Sequence, residues 1–386
     1  MKELNEQEQR KNVVKRAMKI ASFLDEAINV ICRLSKNGSK KDEFYFNNSP
    51  SLKNRVNNVI TQLSEKIQVE IEMGECEAWT LSSAKNILLV SGVMHSMNIP
   101  KSVVEKWEKV CFDNLDRLHL SKEFVLAETF PVSIFKKYGL PINLLSQNET
   151  LNPDGLKQHL KRSVDGRTLS ARVWSITEQF KEELELALDI GLGEGKSAAE
   201  LSRDVRKYLN QPDKLFRRVR DKHGVLRLSK AAKAYHPGQG IYRSSYKNAL
   251  RLASTEINIA YRTSDYERWL KLPFVVGIEI RLSKNHPVYD VCDELKGIYP
   301  KDFKFVGWHP HCRCFAVAVL PTQDEFLEYQ NRKIAGEDVS GFKFDGVVKD
   351  LPDNFKDWLS KNKNRIERAK SLPYFIRDNK GLIKCK

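Results

Sequence analysis

The chain is organised around two short stretches, Asp290-Val-Cys-Asp-Glu-Leu-Lys-Gly297 and Trp308-His-Pro-His-Cys-Arg-Cys314. Three of the seven cysteines and three of the eight histidines fall between residues 285 and 314. The flanking residues 274–282 and 315–319 alternate in polarity or size, which is the period of a half-buried strand. A connection of about thirty residues usually needs its own organiser. The cysteines and histidines therefore predict a metal site beside two strands.

The predicted metal ligands are Cys292, His309, Cys312 and Cys314, with His286 as an alternate. Cys312 and Cys314 are two residues apart, so both thiols face the same side of an extended chain. A Cys₃His set is a common tetrahedral shell for structural Zn²⁺. Asp290 and His311 are further candidate ligands. The cysteine spacing is weaker than a doubled Cys-x-x-Cys, so a metal-free packed loop is the open alternative.

No catalytic residue is predicted, and we do not expect an enzyme. Cys312 has no orienting side chain or oxyanion donor that the sequence can assign. The stretch Gly191-Leu-Gly-Glu-Gly-Lys-Ser197 looks like a phosphate-binding loop, but Ile190 stands where the spacing needs glycine. We interpret it as a helix end followed by an N-cap at Ser197, with Glu200 as the capping-box partner.

Residues His309-Pro-His-Cys-Arg-Cys314 resemble the signature that closes the head-morphogenesis domain of phage minor head proteins, the family of the F protein of phage Mu. Arg251-Leu-Ala-Ser-Thr-Glu-Ile-Asn-Ile-Ala-Tyr261 resembles that family's Arg/Thr-Glu helix, and Asp290–Gly297 resembles its Asp-x-Cys…Leu-x-Gly segment. The stretch is most similar to the variant of phages and prophages of anaerobic gut bacteria, over roughly residues 168–320. Where many members carry Cys-x-x-Cys, this chain has Cys292-Asp-Glu-Leu295.

The resemblance implies a minor head (capsid) protein that binds portal or capsid subunits during head assembly and DNA delivery. It implies double-stranded DNA as a further partner, and a location in the bacterial cytoplasm during assembly and then inside the virion head. The motif residues with an implied structural role are Arg251, Thr255, Glu256, Tyr261, Asp290 and Gly297. The alternative from another class is a nucleic-acid-acting enzyme of phage origin, a nuclease or toxin-like effector.

Composition agrees with a basic protein of two or three domains. Over 386 residues, 65 Lys and Arg against 50 Asp and Glu give a net charge of +15. Such a charge favours nucleic acid or acidic protein surfaces as partners. The odd number of scattered cysteines is typical of a reducing compartment. No apolar run of about 18 residues occurs and the N-terminus lacks an apolar core, so we expect neither a membrane partner nor a signal peptide.

The predicted fold class is α+β: an N-terminal all-α region, then a mixed helical domain with a small antiparallel β element that carries the Cys/His loop. The predicted segments are a helical region for portal or capsid docking (1–145), a linker (146–168), a head-morphogenesis-like domain (169–321) and a C-terminal helical tail (322–386). The third segment contains a basic stretch (214–251) and the Cys/His loop (285–314).

Apolar periodicity predicts helices over residues 5–35, about 51–72 and 101–120. Gly74 is expected to end the second of these. Another helix is expected to begin near Trp79, with Ser82 as a candidate N-cap.

The basic stretch is the best candidate for a nucleic-acid surface, because Asp221 is the only acidic residue in it. Several tyrosines lie among the cations. An acidic partner surface, such as a portal rim, would satisfy the same charges. The candidate nucleic-acid-binding residues are Lys214, Arg217, Arg218, Arg220, Arg227, Lys230, Lys233, Arg243 and Lys247.

Overall fold

The structure is a computed structural model that describes residues 2–36, 44–120, 152–193, 196–210, 219–220, 226–227, 244–283, 286, 288–339, 341–369 and 371–383. It confirms the α+β class, since helices dominate and a small antiparallel sheet lies beside the Cys/His loop. The helices are α1 (Lys2–Leu34), α2 (Pro50–Ser96), α3 (Lys101–Leu120), α4 (Pro153–Leu160), α5 (Leu169–Gly193), α6 (Ala198–Asn210), α7 (Ser245–Lys271), α8 (Val291–Leu295), α9 (Gln323–Ile334), α10 (Asp353–Glu367) and α11 (Tyr374–Arg377). The strands are β1 (Val219–Arg220), β2 (Leu226–Arg227), β3 (Gly277–Arg281), β4 (Gly297–Tyr299) and β5 (Phe315–Val319).

The chain divides into two compact units that are each built from separate stretches of sequence. Unit 1 comprises Met1–Asn12, Glu75–His159 and Thr255–Lys386, and unit 2 comprises Val13–Gly74 and Leu160–Ser254. Neither unit coincides with one of the four segments predicted from the sequence, which are consecutive stretches. Helices α1, α2 and α7 each contribute residues to both units.

The predicted first and third helices are confirmed as α1 and α3. The predicted break at Gly74 is wrong, because α2 runs without interruption from Pro50 to Ser96. Glycine in a helix interior costs only about 1 kcal/mol. Burial of Ile71 and Trp79 on either side of it outweighs that cost. The N-cap expected at Ser82 is also wrong, since Ser82 lies inside α2.

The capping box predicted at the start of α6 is confirmed. The Ser197 hydroxyl accepts a hydrogen bond from the Glu200 backbone N–H at 3.3 Å, and the Glu200 carboxylate accepts from the Ser197 N–H at 2.8 Å. Two backbone donors at the helix start are thereby satisfied. Helix α5 ends at Gly193, within the stretch Gly191–Ser197 that was interpreted as a helix end.

Unit 1 contains a three-stranded antiparallel sheet in the order β4-β3-β5. Strand β3 pairs with β5 so that Gly277 lies opposite Val319 and Arg281 opposite Phe315. Strand β4 was not predicted. It pairs with the other edge of β3, within the long connection that leads to β5. The sheet therefore holds both ends of the Cys/His loop, and β4 supports its middle.

An aromatic cluster fills the core of unit 1 behind the loop. The Trp308 ring lies 5.0 Å from Phe305, 5.8 Å from Tyr299 and 5.1 Å from Phe375, measured between ring centroids. Phe355 joins the same cluster at 6.4 Å from Trp308. Phe355 and Phe375 belong to the stretch predicted as a C-terminal tail, so part of that stretch supplies core residues to the sheet and loop.

Unit 2 has its own core, formed by apolar faces of α1, α2, α5, α6 and the start of α7. Leu24, Ile60 and Phe180 are almost completely buried there. A buried ion pair joins α1 to α2, with the Arg16 guanidinium 2.6 Å from the Glu70 carboxylate. Lys19 approaches the other oxygen of Glu70 at 2.8 Å.

Candidate metal centre

The first side of the site is the start of the short helix α8. The Asp290 side chain accepts a hydrogen bond from the Cys292 backbone N–H at 2.7 Å. In return, the Asp293 carboxylate accepts from the Asp290 N–H at 3.0 Å. This capping box gives α8 a defined first turn although it has only five residues. It orients Cys292, which is 1% exposed.

The opposite side of the site is held by one arginine from α7. The Arg262 guanidinium donates hydrogen bonds to the backbone carbonyls of Val306 at 2.7 Å, Cys312 at 2.6 Å and Cys314 at 2.7 Å. It is buried and lies over the Phe305 ring, 5.3 Å from its centroid. The planar fork of an arginine can serve several acceptors at once. Arg262 therefore shapes the Trp308–Cys314 loop.

Two further contacts fit the loop against α7. Gly307 has a φ of 133°, and a Cβ atom built there would lie 2.8 Å from an Arg262 nitrogen. Only glycine tolerates both the backbone conformation and the close approach. The His311 backbone N–H donates to the Thr255 hydroxyl at 3.2 Å. The hydroxyl of Thr255, on helix α7, thus contacts the backbone of the Trp308–Cys314 loop.

The cysteines and the histidine expected to bind metal converge. The Cys292 and Cys312 sulfurs lie 3.8 Å apart, and the His309 Nε2 atom lies 3.1 Å from the Cys292 sulfur. The ligand atoms of these three residues are all within 4.8 Å of one another. Cys314 is 1% exposed and lies close enough to influence the pKa values of Cys292 and Cys312, but its sulfur is not part of the group within 4.8 Å. These four side chains form a Cys/His cluster that could hold a metal ion.

Within the Cys/His cluster, the neighbouring groups make Cys312 the most acidic of the three thiols. Hydrogen bonds from the Cys292 and Cys314 thiols lower the pKa of Cys312 well below its ordinary value, and the Arg262 guanidinium acts in the same direction. The hydrogen bond to Cys312 raises the pKa of Cys292. A cation that entered the cluster would replace the remaining thiol protons.

The His309 ring is oriented for ligation. Its Nδ1 lies 2.7 Å from the Pro310 carbonyl oxygen, so that nitrogen carries the proton and donates. The Nε2 atom then faces the Cys292 sulfur at 3.1 Å, and a carboxylate oxygen of Asp290 lies 3.3 Å from it. A backbone acceptor on the distal ring nitrogen is the usual way in which proteins orient a metal-binding histidine.

The alternate ligand His286 lies in a neighbouring group. Its Nε2 atom is 2.8 Å from Asp293 and 3.5 Å from Asp290. His286, Asp290 and Cys292 also have ligand atoms within 4.8 Å of one another. The third alternative, His311, has a φ of 65° and contacts Thr255 through its backbone.

The other motif residues lie at separate positions. Glu256 is buried, at 2% exposure, and the Tyr261 hydroxyl donates to Glu6 at 3.2 Å. Gly297 has a φ of 151° and pairs with Ile280 in the sheet. Arg251 lies in unit 2, where its guanidinium donates to Asn248 at 3.5 Å.

Most of the candidate nucleic-acid residues lie outside the described part of the chain: Lys214, Arg217, Arg218, Lys230, Lys233 and Arg243. Arg220 and Arg227 belong to the two-stranded β1–β2 ribbon, in which Arg220 pairs with Leu226 and Arg227 with Val219. Lys247 lies in the first turn of α7.

Sequence reasoning missed Arg262 and Gly307. A signal for Arg262 does exist, because it follows Thr255 by seven residues and therefore lies on the same face of α7. No local sequence pattern indicates the role of Gly307, because its positive φ and its close approach to Arg262 arise only in the folded loop.

No protein-family model, curated protein or solved structure matches this chain. Within the described ranges, no helix combines the length and the hydropathy that a membrane span requires. The resemblance to phage minor head proteins thus stays a prediction that rests on the motifs quoted above.

Proposed function

We propose that Cys292, His309, Cys312 and Cys314 bind one structural Zn²⁺ ion. A tetrahedral centre with Zn–S bonds of about 2.3 Å separates two sulfurs by about 3.8 Å. The Cys292 and Cys312 sulfurs are 3.8 Å apart, which is far longer than the roughly 2.05 Å of a disulfide. This distance is the observation that carries the proposal. The ion would join α8 to the Trp308–Cys314 loop and stabilise the long connection between β3 and β5.

Metal analysis of the purified protein tests this proposal. We expect about one Zn²⁺ per chain in the parent protein. In Cys312→Ser we expect almost none, because a four-coordinate site that has lost one thiolate ligand binds Zn²⁺ much more weakly. EDTA should lower the thermal midpoint of the parent protein and leave that of the variant unchanged. The measurements are elemental analysis and thermal unfolding with and without chelator.

Cys32→Ala is the matched control. Cys32 is a fully buried cysteine of unit 2, and burial raises its pKa to about 11, so it remains a neutral thiol. This variant should keep its zinc. A parent protein without zinc after purification in zinc-containing buffer, together with a Cys312→Ser variant of equal stability, would contradict the proposal.

We also propose that the chain is a minor head protein of a phage or prophage that binds portal or capsid subunits and packaged DNA. Support comes from three sequence motifs and from the contacts between them. Thr255 of the Arg251–Tyr261 motif contacts His311 of the His309–Cys314 motif. Cys292 of the Asp290–Gly297 motif contacts Cys312 of the His309–Cys314 motif. Residues of all three motifs thus meet in unit 1, although Arg251 lies in unit 2, and we assign a scaffold role to these residues. Assembly in the bacterial cytoplasm and a final place inside the virion head follow from this proposal.

Co-expression with the portal and capsid proteins of the same phage or prophage tests the assembly role. We expect co-elution in size-exclusion chromatography. Binding to a double-stranded DNA duplex should weaken steeply with salt if the basic stretch contacts phosphates. Cleavage of supercoiled DNA by the purified protein would instead favour the nuclease alternative. A chain that neither co-elutes nor binds DNA would argue against the head-protein role.

A further inference from the structure

Unit 1 contains a cavity of about 670 Å³ whose lining includes no residue of the Cys/His cluster. Its walls come from the start of α1, the second half of α2, Trp269, the end of β3 and strand β5 with Leu320. The side chains are mostly apolar, including Leu88, Val93 and Leu320. This volume lies in the range of pockets that bind ligands, roughly 300 to 1,000 Å³.

The cavity lies along the edge of β5, not only against one face of the sheet. Side chains of a strand alternate between its two faces. Yet four consecutive residues, Phe315, Ala316, Val317 and Ala318, all line the cavity. Strand β5 is last in the order β4-β3-β5, so within the described ranges no strand pairs with its outer edge.

Backbone groups on this edge point into the cavity. The Ala316 carbonyl accepts a hydrogen bond from the Lys85 ammonium of α2 at 3.4 Å, so it faces α2 and not β3. Because backbone groups alternate along an antiparallel strand, those of Ala318 point the same way. Exposed strand edges of this kind accept extended peptides as additional strands.

The opposite wall leaves room for such a peptide. Lys85, Leu88, Gly92 and Ser96 of α2 follow one another at helical spacing and form one face towards the cavity. Gly92 lies in the middle of that face, and a Cβ atom built there would meet nothing within 4 Å.

Charged side chains are concentrated where β5 begins. Lys85 contacts Ala316, and Arg281 lies opposite Phe315 in the sheet register. Lys85 is already paired with Asp265 at 2.6 Å and Arg281 with Glu279 at 2.5 Å, whereas Arg10 donates a hydrogen bond to the Ser283 hydroxyl at 2.7 Å. Arg10 is therefore the cation of this wall that can receive an acidic group of a ligand.

We propose that the cavity binds an extended, mainly apolar segment of a partner protein, which pairs with the outer edge of β5 and places an acidic residue near Arg10. Alternate side chains of this segment would lie on the apolar walls, while its backbone bonds to Ala316 and Ala318. The proposal requires neither zinc nor the head-protein role, so its failure leaves both of those unaffected.

The test is a selection of random displayed heptapeptides on the full chain, followed by synthesis of the enriched peptides. We expect alternating apolar residues and an acidic residue near one end. The dissociation constant, measured by fluorescence anisotropy, should rise at least tenfold in Gly92→Leu, because the new side chain fills the cavity. Bound peptide should also slow hydrogen exchange in residues 315–320.

Gly92→Leu should fold, because leucine is a much better helix former than glycine and meets open space there. Gly341→Leu is the control, since it adds the same side chain to another open position of unit 1 outside the cavity. That variant should bind peptide normally. The proposal is overturned if no peptide is enriched, or if the enriched peptides bind Gly92→Leu as well as the parent. Binding of the dye 1-anilinonaphthalene-8-sulfonate alone, lost in Gly92→Leu, would also overturn it in favour of a small-molecule cavity.

Discussion

Replacement of Arg262 by leucine is expected to destabilise unit 1 by about 3 to 5 kcal/mol. Three backbone carbonyls, those of Val306, Cys312 and Cys314, would lose a charged donor in a buried place. Each hydrogen bond from a charged group contributes about 1.5 to 3 kcal/mol, and such losses are not additive. The variant should also bind zinc about 10- to 100-fold more weakly, as is typical when residues that orient metal ligands are removed.

Urea unfolding followed by tryptophan fluorescence measures this effect, since every tryptophan except Trp174 lies in unit 1. Arg262→Lys should recover only part of the loss, because an ammonium group lacks the planar fork that serves several acceptors. Arg332→Leu is the control. Arg332 is half-exposed and pairs with Glu328 on the surface of α9, so its loss should cost about 0.5 kcal/mol. Equal midpoints for Arg262→Leu and the parent protein would refute the role assigned to Arg262.

The second large effect is expected in unit 2, where Glu70→Ala should cost about 3 to 5 kcal/mol. Arg16 is 6% exposed and Glu70 is 2% exposed, so the variant leaves a buried guanidinium without its carboxylate. Removal of one member of a buried ion pair typically costs that much. Replacement of both residues, Arg16→Met with Glu70→Leu, should be much closer to neutral, because neither charge is then buried.

The same ion pair predicts a pH dependence. Burial acts to raise the pKa of Glu70, but hydrogen bonds from Lys19 and Arg16 outweigh it, and the pKa is lowered from its ordinary value. A carboxyl with a lowered pKa in the folded state stabilises the protein above its unfolded-state pKa. That contribution is lost as the pH falls through the folded-state pKa. The difference in unfolding free energy between the parent and Glu70→Ala should therefore be full at pH 7 and shrink below about pH 4.

Urea titrations followed by far-UV circular dichroism at several pH values check both expectations. Glu65→Ala is the matched control, since Glu65 is exposed on the same helix. It should change the unfolding free energy by less than about 0.5 kcal/mol. A Glu70→Ala deficit that stays constant down to pH 3 would show that the lost contribution is not electrostatic.

Local sequence patterns determined the individual elements of this protein. Apolar residues at helical spacing predicted α1 and α3, and alternation predicted the strands β3 and β5. The capping box of Ser197 and Glu200 was also predicted, because all its atoms lie within one turn of chain. The Cys/His cluster was predicted from the density of soft ligands and the two-residue spacing of Cys312 and Cys314. These features depend on neighbours in the sequence, which is why the sequence alone contains them.

Only the tertiary structure decided how these elements pack against one another within each unit. Helix α2 continues through Gly74 because burial of its flanks outweighs the helix cost of one glycine. Trp308 packs on Phe355 and Phe375, which come from a stretch whose own pattern indicated only a helical tail. Arg262 binds carbonyls that lie 44 to 52 residues away in the chain. Such contacts are governed by burial and by unsatisfied backbone groups in the folded state, and no local pattern encodes them.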